Sequence, residues 1–153
     1  MSATGVAAPG PKRLSAGRLR SLLGRRLIAS LATVDPDGLP HVVPMWFRRE
    51  GERILIPTSS GTVKIRHLAK KPYAAVMLHE VGPAHAVSGV LVRGSVEVLT
   101  GPEALRLNRT IHLRYVSARD LAKPKYAQYL SGDDVTIAVA MERVATWDIS
   151  GMV

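Results

Sequence analysis

Residues 87–99 read VSGVLVRGSVEVL and form the most regular alternating segment of this chain. One face of an extended strand over these residues carries Val90, Val92, Gly94, Val96 and Val98. The opposite face carries Leu91, Arg93, Ser95 and Glu97. The alternation predicts a half-buried β-strand. Because Gly94 lies on the apolar face, it indicates tight curvature, such as that at the corner of a barrel.

Similar but shorter strand signals surround this segment. Further strands are predicted at residues 26–34, 40–47, 53–56, 73–78, 135–141 and 144–149. Short helices are predicted at 15–23 and 62–71, after Thr100, and from Ser117. Pro44 predicts that its strand is an edge or bulged strand. Six or seven strands joined mostly as hairpins predict a mainly β fold of the α+β type, a closed antiparallel barrel with short helices.

A Ser/Thr/Gly loop follows the strand at 53–56 and opens the helix at 62–71. Residues 57–67 read PTSSGTVKIRH, so hydroxyl groups and the cations Lys64 and Arg66 stand beside unpaired N–H groups at the helix start. This combination is typical of a phosphate site. The alternative is an ordinary helix capped by Ser60 or Thr62, with its cations on a solvated face.

The chain is basic, with a net charge of +9 over 153 residues. Six cations and no carboxylate occur up to Arg26, whereas the remainder carries 15 cations and 12 carboxylates. The excess charge is therefore concentrated near the N-terminus, and few aromatic residues are available to stack on bases. We expect no nucleic-acid partner, and an anionic small ligand fits the same charge.

The composition excludes several other classes of protein. With no cysteine, the chain has no disulfide framework, thiolate metal site or cysteine nucleophile. Its histidines lack the spacing of metal ligands, so no metal site is expected. No segment resembles a signal peptide or is long enough to cross a membrane, which predicts a cytoplasmic protein with no membrane partner. Residues 1–12, rich in Ala, Gly and Pro, are expected to form a disordered arm before a single domain over 13–153.

Taken in order, several short motifs resemble the split β-barrel flavin and deazaflavin oxidoreductases, the superfamily of pyridoxamine 5'-phosphate oxidase. The motifs are ASLAT at 29–33, Asp37-Gly38, PHVVP at 40–44, the segment 58–72, VRGSV at 92–96 and RVATWD at 143–148. The resemblance covers residues 18–153 and implies an FMN-binding-type split barrel. It also implies a homodimer whose cofactor sites lie between the two subunits.

The resemblance implies a set of cofactor-binding residues. Lys64 matches the lysine that meets the cofactor phosphate, with Arg66 as a second ion partner. The cradling loop matches Thr58, Ser59, Ser60, Gly61 and Thr62. The strand along the isoalloxazine-type ring matches Val43, Pro44, Met45 and Trp46. No catalytic side chain is implied, although His41 and His79 are candidate proton donors.

Two departures from the FMN-dependent oxidases favour a deazaflavin cofactor, coenzyme F420. Those oxidases carry an arginine where this chain has Val43, and an Arg-Lys pair where it has Val63-Lys64. We therefore expect a deazaflavin-dependent reductase that transfers hydride to an electron-poor small molecule such as a quinone, an enone or a tetrapyrrole. The alternatives are an FMN-binding oxidoreductase of the pyridoxamine phosphate oxidase type and a non-catalytic flavin- or haem-binding protein.

Overall fold

A computed structural model describes residues 11–130 and 132–150. In chain order the helices are α1 (Ala16–Gly24), α2 (Val63–Lys70), α3 (Gly101–Tyr115) and α4 (Ala118–Leu121). The strands are β1 (Ala29–Val34), β2 (Pro40–Met45), β3 (Arg48–Glu50), β4 (Arg53–Ser59), β5 (Tyr73–Val81), β6 (Val87–Leu99), β7 (Asp134–Ala140) and β8 (Arg143–Asp148). Short 3-10 turns occupy Pro83–His85 and Pro124–Leu130. The prediction of a mainly β fold with short helices is confirmed.

All strand pairings in the described part of the chain are antiparallel. The strand order is β2-β1-β5-β6-β7-β4-β3, and β8 pairs with β6 beside this path. The eight strands of the described residues exceed the six or seven predicted, because residues 48–50 form the short strand β3, for which no strand was predicted. Strand β2 lies at the edge of the sheet, as Pro44 predicts.

Gly94 marks the place where β6 changes partners. Before it, Ser88–Arg93 pair with β8; after it, Val96–Leu99 pair with β7. A Cβ atom at this position would overlap the backbone oxygen of Ala140. Only glycine therefore permits the close approach of β6 to the end of β7, which confirms the predicted corner.

Two apolar clusters stabilise this arrangement. The larger fills the barrel and includes Leu31, Phe47, Ile54, Val76, Val90, Val92 and Ile137. The smaller lies beneath α3 and consists of Leu55, Leu99, Ala104, Leu107, Ile111 and Ala138, with Trp46 and Tyr115 packed against it. The smaller cluster fixes α3 against β4 and β7, and so places one face of that helix beside the loop that follows β4.

The N-terminal segment is tied to the barrel at several points. Arg18 and Arg25 both form ion pairs with Glu80, which neutralises part of the basic face of α1. Lys12 forms a β-bridge with Asp148. Residues 1–10 of the predicted arm lie outside the described residues. Among the helices described, none has the length and apolar character needed to span a bilayer.

Candidate functional site

A cleft of about 480 Å³ opens between the edge strand β2, the end of β4 and helix α3. It is lined by Ile28, Pro44, Met45, Trp46, Pro57, Thr58, Ser59, Thr62, His112, Tyr129 and Asp134. Its size is that of a small-molecule site. Six of the predicted cofactor-binding residues line it: Pro44, Met45, Trp46, Thr58, Ser59 and Thr62. The fold therefore brings the predicted ring strand and the predicted phosphate loop together.

The loop between β4 and α2 supplies hydroxyl groups to the cleft. Thr62 occupies the N-cap position of α2, but its side chain makes no capping hydrogen bond. Instead the Thr62 hydroxyl donates to the backbone oxygen of Ser59 at 3.0 Å. It also lies 3.4 Å from the side-chain hydroxyl of Thr58. The N–H groups in the first turn of α2 thus have no side-chain cap, and the simple capping interpretation is wrong for Thr62.

The two cations of α2 occupy different environments beside this loop. The Arg66 guanidinium donates to the backbone oxygen of Gly61 at 3.0 Å and so holds the loop from outside. Lys64 is half-buried, and this burial lowers the pKa of its ammonium. Among the described residues, no carboxylate forms a salt bridge with Lys64. A half-buried cation without a counter-ion attracts an anion.

The remaining predicted residues are not among those that line the cleft. Ser60 and Gly61 are exposed to solvent in the same loop. The Ser60 N–H donates to the backbone oxygen of Asp133 at 2.9 Å. Val43 packs against the barrel core. Lys64 and Arg66 follow the loop on α2. The structure therefore divides the predicted set into cleft residues, exposed loop residues, two cations on α2 and Val43, which packs against the core.

Trp46 is the centre of an aromatic cluster at the cleft. Its ring stacks on Tyr115, with centroids 5.0 Å apart and planes inclined by 2°. His112 and Tyr129 contact it at 5.7 and 5.8 Å. The Tyr115 hydroxyl donates to the Leu27 oxygen at 2.5 Å and accepts from the Phe47 N–H at 3.3 Å. These bonds fix Tyr115, and its ring in turn fixes one face of Trp46.

His112 is one of the cleft residues that the sequence interpretation missed, together with Ile28, Pro57, Tyr129 and Asp134. His112 is only 3% exposed, and neither ring nitrogen has a hydrogen-bond partner among the described residues. Burial lowers the pKa of its imidazole, and the nearby backbone of Tyr129 offsets part of this shift. The lowered pKa favours the neutral form of the imidazole. The histidines considered from sequence, His41 and His79, do not line the cleft.

A buried polar pair fixes the position of His112. One turn earlier on α3, the Asn108 amide donates to the Val135 oxygen at 3.0 Å. The Thr136 hydroxyl donates to the Asn108 side-chain oxygen at 2.7 Å. Because these bonds tie α3 to β7, the next residue on the same helix face is held against the cleft.

The described residues hold no group of three or more His, Asp or Glu side chains that could bind a metal ion. The arrangement is instead that of an organic ligand site, in which aromatic and apolar walls adjoin a loop suited to an anion.

Comparisons with known proteins agree with the observed fold. The sequence model of the pyridoxamine 5'-phosphate oxidase family matches residues 16–148. The chain belongs to this family. A search of curated proteins finds no match.

Among solved structures, a conserved hypothetical protein from Mycobacterium tuberculosis is 26% identical, with a TM-score of 0.76 over 91% of this chain and 88% of that one. A protein described as an F420 reductase is 29% identical, with a TM-score of 0.65 over 82% of this chain and 94% of that one. An FAD-binding protein from Mesorhizobium loti, 23% identical with a TM-score of 0.68, shares the fold over 90% of this chain and 95% of that one.

Proposed function

We propose that this protein is a reductase that uses the deazaflavin coenzyme F420 to transfer hydride to an electron-poor small molecule. The observation that carries the proposal is that the β2 residues and the hydroxyl loop before α2 line one common cleft. A phosphorylated cofactor with a flat ring needs both kinds of surface at one site.

The loop and the start of α2 fit the phosphate of such a cofactor. The first turn of α2 has no side-chain cap, and the loop hydroxyls stand beside it. Lys64 supplies a half-buried positive charge that no carboxylate of the described residues pairs with. A phosphate would accept hydrogen bonds from the N–H groups and would gain a counter-ion.

The other part of the cleft fits a flat ring. Pro44, Met45 and Trp46 offer an apolar surface, and the stacked Tyr115 keeps the Trp46 ring in one orientation. A reduced deazaflavin supplies a hydride from a ring carbon. The task of this chain is therefore to bind and orient the ring and to exclude water from one side of it.

Two observations favour the deazaflavin over FMN. Val43 and Val63 contribute no positive charge near the loop, which leaves Lys64 and Arg66 as the cations on this part of α2. One solved structure similar to this chain is described as an F420 reductase. The alternative is that the protein binds FMN, FAD or haem instead, and the experiment below distinguishes this from binding of F420.

The purified protein is expected to bind oxidised coenzyme F420 with micromolar or tighter affinity and to bind FMN and haem more weakly. Titrations followed by cofactor fluorescence, or by the Soret band for haem, measure the three affinities. Reduction of a quinone by reduced F420 in the presence of the protein then tests for enzyme activity. Tight binding of FMN or haem without binding of F420 would contradict the proposal.

We also propose that the protein forms a homodimer. Large apolar side chains are exposed on several strands, among them Val42 on β2, Val81 on β5 and Val144 on β8. Contact with a second copy would remove such surface from water. Light scattering at micromolar concentration is expected to give twice the mass of one chain. A monomer that binds F420 with full affinity would argue against a site shared between subunits.

A further inference from the structure

His112 is a buried polar group that the proposed cofactor contacts do not use. The proposed phosphate contacts use Thr58, Ser59 and Thr62, and the proposed ring contacts use Pro44, Met45 and Trp46. Neither set gives a role to the imidazole of His112, which is only 3% exposed. Leaving a buried donor and acceptor without partners opposes folding. A residue of this kind at the wall of a cleft indicates a ligand atom that completes its hydrogen bonding.

The surroundings of His112 restrict what that ligand can be. Its ring contacts Trp46 at 5.7 Å and Tyr129 at 5.3 Å, so a molecule beside it meets flat aromatic side chains. Among the described residues that line the cleft, none is a lysine or an arginine. The wall beside His112 therefore offers a ligand flat aromatic surfaces and no positive charge.

We propose that His112, Trp46 and Tyr129 form a subsite for a flat, neutral molecule with a conjugated carbonyl group, whose oxygen accepts a hydrogen bond from His112. The inference rests on the proposed function, for which it selects quinones and enones over anionic acceptors. The imidazole N–H donates to the carbonyl oxygen and so polarises it, a role that does not require the ring to carry a charge.

The chemistry of the alternatives supports this choice. A purely apolar ring would leave the His112 nitrogens without partners. A carboxylate would enter a wall that provides no positive charge. A carbonyl oxygen accepts from the imidazole N–H, while its flat conjugated skeleton packs against Trp46 and Tyr129.

The experiment uses 1,4-naphthoquinone as a neutral probe and 1,4-naphthoquinone-2-sulfonate as its anionic counterpart. Each is titrated into the unliganded wild type, His112→Leu, His112→Gln and the control His79→Leu, with quenching of tryptophan fluorescence as the signal. His79 is an exposed histidine on β5 that does not line the cleft. Thermal melting of each unliganded variant is measured in parallel.

The wild type should bind the neutral quinone more tightly than the sulfonate. His112→Leu should weaken binding of the neutral quinone by about 5- to 100-fold, whereas His112→Gln keeps a donor and should recover much of the affinity. His79→Leu should match the wild type. Removing an unpaired buried polar group should also raise the melting temperature of unliganded His112→Leu by about 2 °C or more, which a purely structural histidine would not do.

Equal affinity of wild type and His112→Leu for 1,4-naphthoquinone, or no binding by the wild type, overturns the subsite. If His112→Leu does not fold, His112→Phe replaces it, because phenylalanine keeps a flat ring without hydrogen-bonding atoms. Its affinity for 1,4-naphthoquinone is compared with that of the wild type by the same criteria. A parallel titration with F420 separates the two proposals. If F420 binds but His112→Leu leaves the quinone affinity unchanged, only the subsite fails. If the quinone result holds but F420 does not bind, the proposed function fails and the subsite stands.

Discussion

Replacing Lys64 with alanine should weaken the binding of coenzyme F420 by roughly 10- to 100-fold. The ammonium is half-buried beside an uncapped helix start and is paired with no carboxylate of the described residues. A charge-assisted hydrogen bond to a phosphate in such a place contributes about 1.5 to 3 kcal/mol. Fluorescence titration of the variant with F420 measures the loss.

Lys70→Ala is the matched control, because it removes one positive charge from the exposed last turn of the same helix. It should cost little affinity. Repeating the titrations at higher salt strengthens the comparison, since the contribution of exposed charges is screened more than that of a half-buried one. Equal F420 affinities for wild type, Lys64→Ala and Lys70→Ala would show that the phosphate lies elsewhere.

Replacing Gly94 with alanine should destabilise the protein by about 3 kcal/mol or more, or abolish folding. The added Cβ would overlap the backbone oxygen of Ala140, and a backbone atom cannot rotate away as a side chain can. Strands β6 and β7 would have to separate where β6 changes partners. Thermal unfolding should show a melting temperature lower by about 6 to 12 °C.

Gly24→Ala provides the comparison, because nothing lies within 4 Å of a Cβ atom placed at the end of α1. This variant should be as stable as the wild type or slightly more stable, since alanine restricts the unfolded chain. If Gly94→Ala and Gly24→Ala had the same melting temperature, β6 and β7 would not be in close contact at Gly94.

Local pattern was sufficient to predict much of the fold. Strand β6 was predicted over its observed range, 87–99, because a strict alternation is flanked by turn residues. Strand β3 was missed because its three residues, Arg48–Glu50, are all charged and too few to show a period. The first strand begins at Ala29 rather than at residue 26, since the Leu27 N–H donates to the Arg25 oxygen in a tight turn.

The difference between local pattern and tertiary packing also explains which parts of the site could be predicted from sequence. The hydroxyl loop is one continuous segment, so its residues could be recognised together. The wall opposite is assembled from α3 and the turn at Pro124–Leu130, which only tertiary packing brings to β2. A sequence signal for His112 did exist: Asn108 and His112 are polar residues four apart on the apolar stripe of α3.

That wall has a consequence for protein engineering. Asn108 holds helix α3 at one level, and the hydroxyl of Tyr115 holds it two turns further on. Neither hydrogen bond involves His112, which lies between them and lines the cleft. Exchanging the side chain at position 112 would alter what the cleft accepts and leave the barrel and the loop before α2 intact. Position 112 is thus a place where the acceptor preference of this scaffold can be redesigned by a single replacement on one rigid helix.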